Sequence, residues 1–516
     1  MISADAVGRP FNRGDYVVGA PTPPRFARRH EPGPGPAFLQ GPTVEVPPAV
    51  VERLRRVSGD VATARDEVVR STRDWWAATM IGETEGRPAT PDAVVVRVRS
   101  AEQVRDVVRI CAEAAIPITP SAGRSNVTGA ALPVFGGVVL DVCGLDRIRH
   151  VDATAQVVDV EAGVFGDVLE KALQSLHGLT TGHWPSSYAL STVGGWIACR
   201  GAGQLSTRYG KIEDLVVGLD VVLPDGRLVE LGGHPRAAIG PDLRQLLVGS
   251  EGTLGVITAA RLRLHRLPDH CASLAYGFES FDAGLEACRQ ILQRGATPAV
   301  VRLYDKLESG VQFARGDCNV LLVADEGEQR LVDATLAVSS SACAELGTAL
   351  DGEAVMARWL DSRFLVGKSA EGFESGPGFV SDTCEIAASW SALPRIYADV
   401  VTAIEAVPGT LAASAHQSHA YADGACLYFS LRGDVEPTAR AAWYRAAWAA
   451  ANGALIEHRA AISHHHGVGL LRGGYLGDSL GAGFSVLGAL KGALDPKGIM
   501  NPGKLGLPSP FGIPPW

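Results

Sequence analysis

No stretch of this chain approaches the roughly eighteen uninterrupted apolar residues of a membrane span, and its opening lacks the charged-then-apolar pattern of a secretory signal. The nine cysteines are scattered, without a C-x-x-C pair or a regular spacing, which points to neither a zinc site nor a disulfide framework. Lysine- and arginine-rich runs are missing too, and with a formal charge of -9 the chain lacks the footprint of a nucleic-acid partner. These absences predict a cytoplasmic protein with reduced thiols and at most peripheral membrane contact. What is present is bulk: 516 residues, 46% of them apolar, enough for two or three domains with substantial cores.

Residues 1–46 are rich in Pro, Gly and Arg and carry no hydrophobic period, so they read as an extended arm. Order sharpens at Ala93-Val94-Val95-Val96-Arg97-Val98, a strand, after which Ser100 and Gln103 form a capping box. Val104, Val107, Val108 and Cys111 recur at helical spacing as far as about Ala115, and Ile116-Pro117-Ile118-Thr119 returns as a strand. The pattern is β-α-β.

Directly after that strand stands Pro120-Ser121-Ala122-Gly123-Arg124-Ser125-Asn126-Val127-Thr128-Gly129. Small side chains there leave backbone N–H groups free to surround a pyrophosphate, although such a segment alone reads equally as a β-turn. Two more glycine- and hydroxyl-rich segments follow: Thr181-Gly182-His183-Trp184-Pro185-Ser186-Ser187, leading into Ser191-Thr192, and Gly249-Ser250-Glu251-Gly252-Thr253-Leu254-Gly255-Val256-Ile257. Together three such loops can enclose a large cofactor that contains a polyphosphate.

Near the C-terminus, three of the thirteen histidines stand in a row, in Ser463-His464-His465-His466-Gly467-Val468-Gly469. Neutral imidazole is the side chain best suited to moving protons or holding a metal near neutral pH, and crowding three together carries a repulsion that a merely structural segment would avoid. A solvated surface loop is the plain alternative. The glycines that flank the run let backbone approach a ligand closely, which favours an active-site wall.

With these segments in view, the chain resembles the FAD-binding family that includes vanillyl-alcohol oxidase and the D-2-hydroxy-acid dehydrogenases, over about residues 60–505. Within it, Thr181-Gly182-His183, Ile212-Glu213-Asp214-Leu215-Val216, Asp423-Gly424-Ala425-Cys426-Leu427-Tyr428-Phe429 and the histidine run resemble motifs of the alkyldihydroxyacetonephosphate synthases. The resemblance implies an α+β fold: a bipartite FAD-binding domain over 47–268, an α+β substrate-binding cap over 269–454, and a C-terminal segment, 455–516, that returns to the FAD domain with the histidines. It places cofactor contacts on Pro120 to Asn126 (Ser121, Ala122, Gly123, Arg124 and Ser125 between them), on Ser186, Ser187, Ser191 and Thr192, on Cys199, Arg200, Gly201 and Ala202, and on Glu251, Gly252, Thr253, Leu254, Gly255, Val256 and Ile257. Ala122 and Arg124 stand where the family has glycines, and no histidine in the first loop could form a histidyl-flavin bond, so non-covalent FAD is expected.

The same resemblance makes Tyr428 a catalytic phenol, His464, His465 and His466 the groups that remove a proton beside a carbonyl and orient a phosphate, His183 a second proton-transfer group near the flavin, and Arg363 the anchor of an anionic substrate. Arg358 is the fallback for the anchor, because residues 371–380 look like an insertion. The implied reaction exchanges the acyl group of a phosphorylated keto substrate for a fatty alcohol through an adduct at flavin N5, without net redox change, in a homodimer. A small, anionic and lipid-like substrate follows. The alternative is FAD-dependent oxidation of a 2-hydroxy acid or an alcohol.

Metal-dependent relatives carry H-x-G-D-G-N-L-H in the cap and E-H-G before the final segment; here Tyr428 replaces the second histidine and His465 the glutamate. No metal is therefore expected, with a gathering of His416, His419 and the triplet left open. Trp184, where the synthases commonly have an acidic residue, departs from their pattern near the expected substrate entrance. The aromatic helix around Trp443, Tyr444 and Trp448 reads as a packed cap helix, with lipid contact as its alternative.

Overall fold

The computed structural model describes residues 41–87, 92–365 and 376–516, with Ile2 and Leu39. The arm expected over 1–46 thus falls almost wholly outside the described residues, as does the first half of the insertion expected at 371–380.

Strand Ala93–Arg97, helix Ala101–Ala114 and strand Ile118–Ser121 form the β-α-β unit. The two strands are not neighbours: Gly137–Asp141 inserts between them, parallel to both, and Val61–Ala62 adds an antiparallel edge. Ser100 Oγ accepts the Gln103 N–H at 3.3 Å, while Gln103 Oε1 reaches past the cap residue to the Arg99 N–H at 2.7 Å. Val104, Val107, Val108 and Cys111 are fully buried on the face that the periodicity predicts.

A second, antiparallel sheet runs in the order Ile148–Asp152, Val157–Glu161, Val256–Arg263, Val216–Val222, Leu228–Gly232. The third is antiparallel and seven-stranded, in the order Thr348–Leu350, His270–Phe278, Asn319–Gly327, Val300–Tyr304, Thr410–Ala420, Gly424–Asp434, Phe379–Ser389. Helices Phe281–Gln293, Leu393–Glu405 and Arg440–Glu457 share one apolar core with this sheet. Side chains alternate along a strand, so the entry of Ala425, Leu427, Phe429 and Leu431 into that core turns Tyr428 to the opposite face.

Trp443, Tyr444 and Trp448 are buried, with Trp448 Nε1 donating to Asp382 Oδ2 at 3.1 Å, so their helix packs on the sheet. Among the described residues no helix is long and apolar enough to cross a membrane. Beyond Arg440–Glu457 the chain crosses back to the first sheet, where the Asn501 N–H donates to Ile118 O at 2.8 Å.

Candidate active site

Between the cap sheet and the two smaller sheets lies a cavity of about 590 Å³. All residues from Pro120 to Asn126 line it, as do Ser186, Ser187, Ser191, Thr192, Cys199, Gly201, Ala202, Glu251, Gly252, Gly255, Val256 and Ile257. From the cap and its return come Arg363, Tyr428, His465 and His466, and His183 stands in the wall beside Trp196. Four expected residues lie off the cavity. Arg200 reaches Glu213 and Gln245, Thr253 turns its hydroxyl to Ser250 O, Leu254 is in the core of the second sheet, and His464 sits behind His465. Trp184 is no entrance residue either: it is fully buried against Tyr188.

The loop after Ile118–Ser121 is built to receive a ligand. Gly123 approaches the backbone so closely that a Cβ would stand 2.4 Å from Leu190 O, and Arg124 adopts a left-handed φ of 53°. Among the described residues the N–H groups of Gly123, Arg124 and Ser125 serve no protein acceptor, and Ser121 Oγ and Arg124 Nε are buried without a partner. Such unspent donors suit a pyrophosphate. Asn126 braces the turn, its Oδ1 accepting from Thr128 and Ala130 N–H at 2.9 and 3.0 Å while its Nδ2 donates to His466 O at 3.0 Å.

A carboxylate that the sequence reading missed organises the histidine run. Glu385, fully buried, accepts on one oxygen the Ser463 hydroxyl at 2.7 Å and the N–H groups of His464, His465 and His466 at 3.2, 3.1 and 2.8 Å. Its other oxygen pairs with the buried Arg472 guanidinium and lies 3.1 Å from His466 Nδ1. Burial alone would raise this carboxyl, but Arg472 and His466 hold it well below the usual range. Glu251 clamps the end of the run, accepting Val468 N–H at 2.6 Å and Gly469 N–H at 2.8 Å.

Burial, reinforced by neighbouring imidazoles, pushes His464 and His465 well below their ordinary value, so both are neutral bases near pH 7. His183, with neither ring nitrogen hydrogen-bonded among the described residues, is pushed down to about 3 by burial. Tyr428 accepts a hydrogen bond from the Thr383 hydroxyl at 3.1 Å, which leaves its own proton free for a ligand, and burial raises its phenol above the ordinary value.

Arg363 caps helix Gly352–Ser362 with its guanidinium 4.8 Å from the Trp359 ring; Arg358, the fallback, is exposed. A second arginine shares that wall. Arg302 lies 6.0 Å from the same ring and donates to His416 Nε2 at 3.0 Å, and His416 Nδ1 stands 3.0 Å from Glu308 Oε2. His416 is stacked between Tyr304 and Tyr428, with centroids 5.1 and 4.9 Å away. Arg302 and Tyr304 alternate within Val300–Tyr304, a polar period-2 signal that would have marked this face of the strand.

His419, His464 and His465 bring ring nitrogens within 4.8 Å of one another. The rings of His419 and His464 are stacked, 24° apart in plane and 4.9 Å between centroids, and among the described residues no carboxylate joins the group. His464 and His465 are hydrogen-bonded to each other through their Nδ1 atoms, and with His419 they make a group whose spacing could hold a metal ion.

Two family models match, a FAD binding domain over residues 91–232 and the C-terminal domain of FAD linked oxidases over 267–505. The FAD-linked oxidoreductase YgcU of Escherichia coli (strain K12) is 30% identical over 492 residues, covering 89% of this chain and 98% of that protein. The chain belongs to the FAD-linked oxidoreductase family. FAD is its cofactor, and the unspent donors of residues 121–125 fit the pyrophosphate. An alkyldihydroxyacetonephosphate synthase of Dictyostelium discoideum is 29% identical over 457 residues, 80% of this chain and 73% of that one. A solved structure of such a synthase shares the fold with a TM-score of 0.73 at 23% identity, over 92% of this chain and 90% of that chain.

Proposed function

We propose that this FAD enzyme exchanges an acyl group for an alkoxy group on a phosphorylated keto substrate without net redox change. The supporting observation is convergence: Tyr428, the neutral His465 and the guanidiniums of Arg302 and Arg363 face one cavity beside the cofactor cradle. Arg363, with Arg302 beside it, holds the phosphate through charge-assisted hydrogen bonds. His465 takes the proton from the carbon next to the carbonyl, and His466, oriented by Glu385, stands beside it. Tyr428, kept protonated by burial, gives its proton to the departing carboxylate oxygen and recovers one from the entering alcohol. FAD, when bound in the cradle of residues 120–126, would supply a nucleophilic ring nitrogen for the exchange.

The name of YgcU favours a second reading on the same groups, oxidation of a 2-hydroxy acid or alcohol in which the neutral imidazoles take the hydroxyl proton. Under the first reading, Tyr428→Phe and His466→Ala lower ether-forming turnover by about 10²-fold or more while flavin absorbance persists. Full activity in both variants would remove the site assignment.

A further inference from the structure

The cavity wall that carries Arg302 also holds an imidazole that the acyl exchange does not use. His416, on strand Thr410–Ala420, stands between two ionic partners: its Nδ1 is 3.0 Å from Glu308 Oε2, and Arg302 Nη2 is 3.0 Å from its Nε2. Glu308 also accepts the Ser430 and Ser414 hydroxyls on Oε1, at 2.6 and 2.9 Å. Arg302 is held at its near end, where Nε–H donates to the Tyr304 hydroxyl at 3.0 Å. Arg302, Glu308 and His416 all line the cavity, as does Arg363.

These partners fix the tautomer. A carboxylate only accepts and a guanidinium only donates, so Nδ1 of His416 carries the proton and Nε2 the lone pair. The imidazole is then neutral and has no N–H to offer a ligand. The other charged and titratable groups around it are Asp305, which caps the helix of Glu308, Arg432, 3.9 Å from Glu308, and His419 on the same strand. The phenol rings of Tyr304 and Tyr428 stack on either side. Burial, and after it Arg302, hold His416 below its ordinary value against the pull of Glu308.

We propose that His416 is a third phosphate-binding group beside Arg302 and Arg363, one that takes up a proton at Nε2 as a phosphate dianion arrives. The inference rests on the reading of these arginines as the anchor of a substrate phosphate. Arg302 turns its Nη2–H from His416 to a phosphate oxygen, which uncovers Nε2 beside a doubly negative group. A proton from solvent, or from a phosphate that arrives as the monoanion, bonds to Nε2, and the new Nε2–H donates to the phosphate. Nδ1–H stays on Glu308, whose charge balances the imidazolium. No bond to carbon changes, and nothing is oxidised or reduced. A carboxylate brings a single charge and draws the proton in less strongly, so the arrangement selects phosphate over carboxylate. Glu308 is a positioning residue here, because it acts on the phosphate only through His416.

The test uses FAD-loaded full-length enzyme near neutral pH, with inorganic phosphate as the probe. Calorimetry in two buffers of different ionisation heat counts the protons exchanged on binding. Spectra of ¹⁵N-histidine-labelled enzyme, with His416 assigned by the signal missing from His416→Gln, report its ring. Phosphate should bind with net proton uptake, while His416 Nε2 moves from the lone-pair to the N–H range and Nδ1 stays protonated. Glu308→Gln should bind phosphate about 10-fold more weakly and lose the uptake, with retained flavin absorbance as the control for folding. Phosphate binding without uptake, or a proton already on Nε2 in the free enzyme, overturns the inference and leaves the arginines as the anchor. Binding that is absent in the wild type, or undiminished in Arg302→Gln, removes the anchor and the inference with it. Acetate bound with the same uptake overturns the selectivity for phosphate. An enzyme that binds phosphate as expected yet forms no ether loses the proposed reaction and keeps this site.

Discussion

Removing the Glu385 carboxylate would leave the Arg472 guanidinium fully buried without its counter-charge and three histidine N–H groups without an acceptor. Breaking such a pair costs about 3–5 kcal/mol, so Glu385→Ala should unfold at markedly lower denaturant concentration than the wild type. Glu308 makes a pH-dependent claim. Burial alone would raise its carboxyl, but His416, Ser430 and Ser414 bring it from the ordinary 4.5 to about 2. The folded state thus holds this proton less tightly than the unfolded chain, and the resulting stability is complete above about pH 4.5 and is lost as the pH falls toward 2. The unfolding free energy of Glu308→Gln should depend less steeply on pH across that window. Neither carboxylate was legible in the sequence, because the partners named here lie 78 or more positions away in the chain, a pairing no local pattern reveals. Tyr428 was legible only through its motif.

At the level of elements, local chemistry was read well where a short-range rule decides the outcome. The capping Ser100, the apolar stripe of Ala101–Ala114 and the strand that follows it all follow from period and cap. The insertion of Gly137–Asp141 between the two strands was not legible, since strand order is set by tertiary pairing. The glycines around the histidines have a sharper role than flexibility. Gly469 has φ +54°, and a Cβ there would stand 2.2 Å from Thr128 O, the oxygen that accepts Leu470 and Leu471 N–H. Gly469→Ala should therefore displace the run and cost about 1–3 kcal/mol, read as a lower midpoint of unfolding together with weaker flavin retention.

Across the whole molecule, the site exists only where three separate stretches meet. The cradle at 120–126 is tied to the histidine return by Asn126 to His466 O, the return is also held by Lys211 to His464 O at 2.7 Å, and Arg208 reaches the cap sheet at Asp325 at 2.7 Å. The cofactor loops and the triplet could be named from sequence because each is local; their meeting with Arg302 and His416 could not. The most direct measurement is the anaerobic flavin spectrum of the purified enzyme on addition of an acyl-dihydroxyacetone phosphate, followed by a fatty alcohol. Bleaching that accompanies release of fatty acid, and an ether product that depends on the alcohol, are the expected results. Full two-electron reduction by a 2-hydroxy acid or an alcohol, reversed by oxygen or a dye and with no ether formed, would contradict the account and make the enzyme an oxidoreductase.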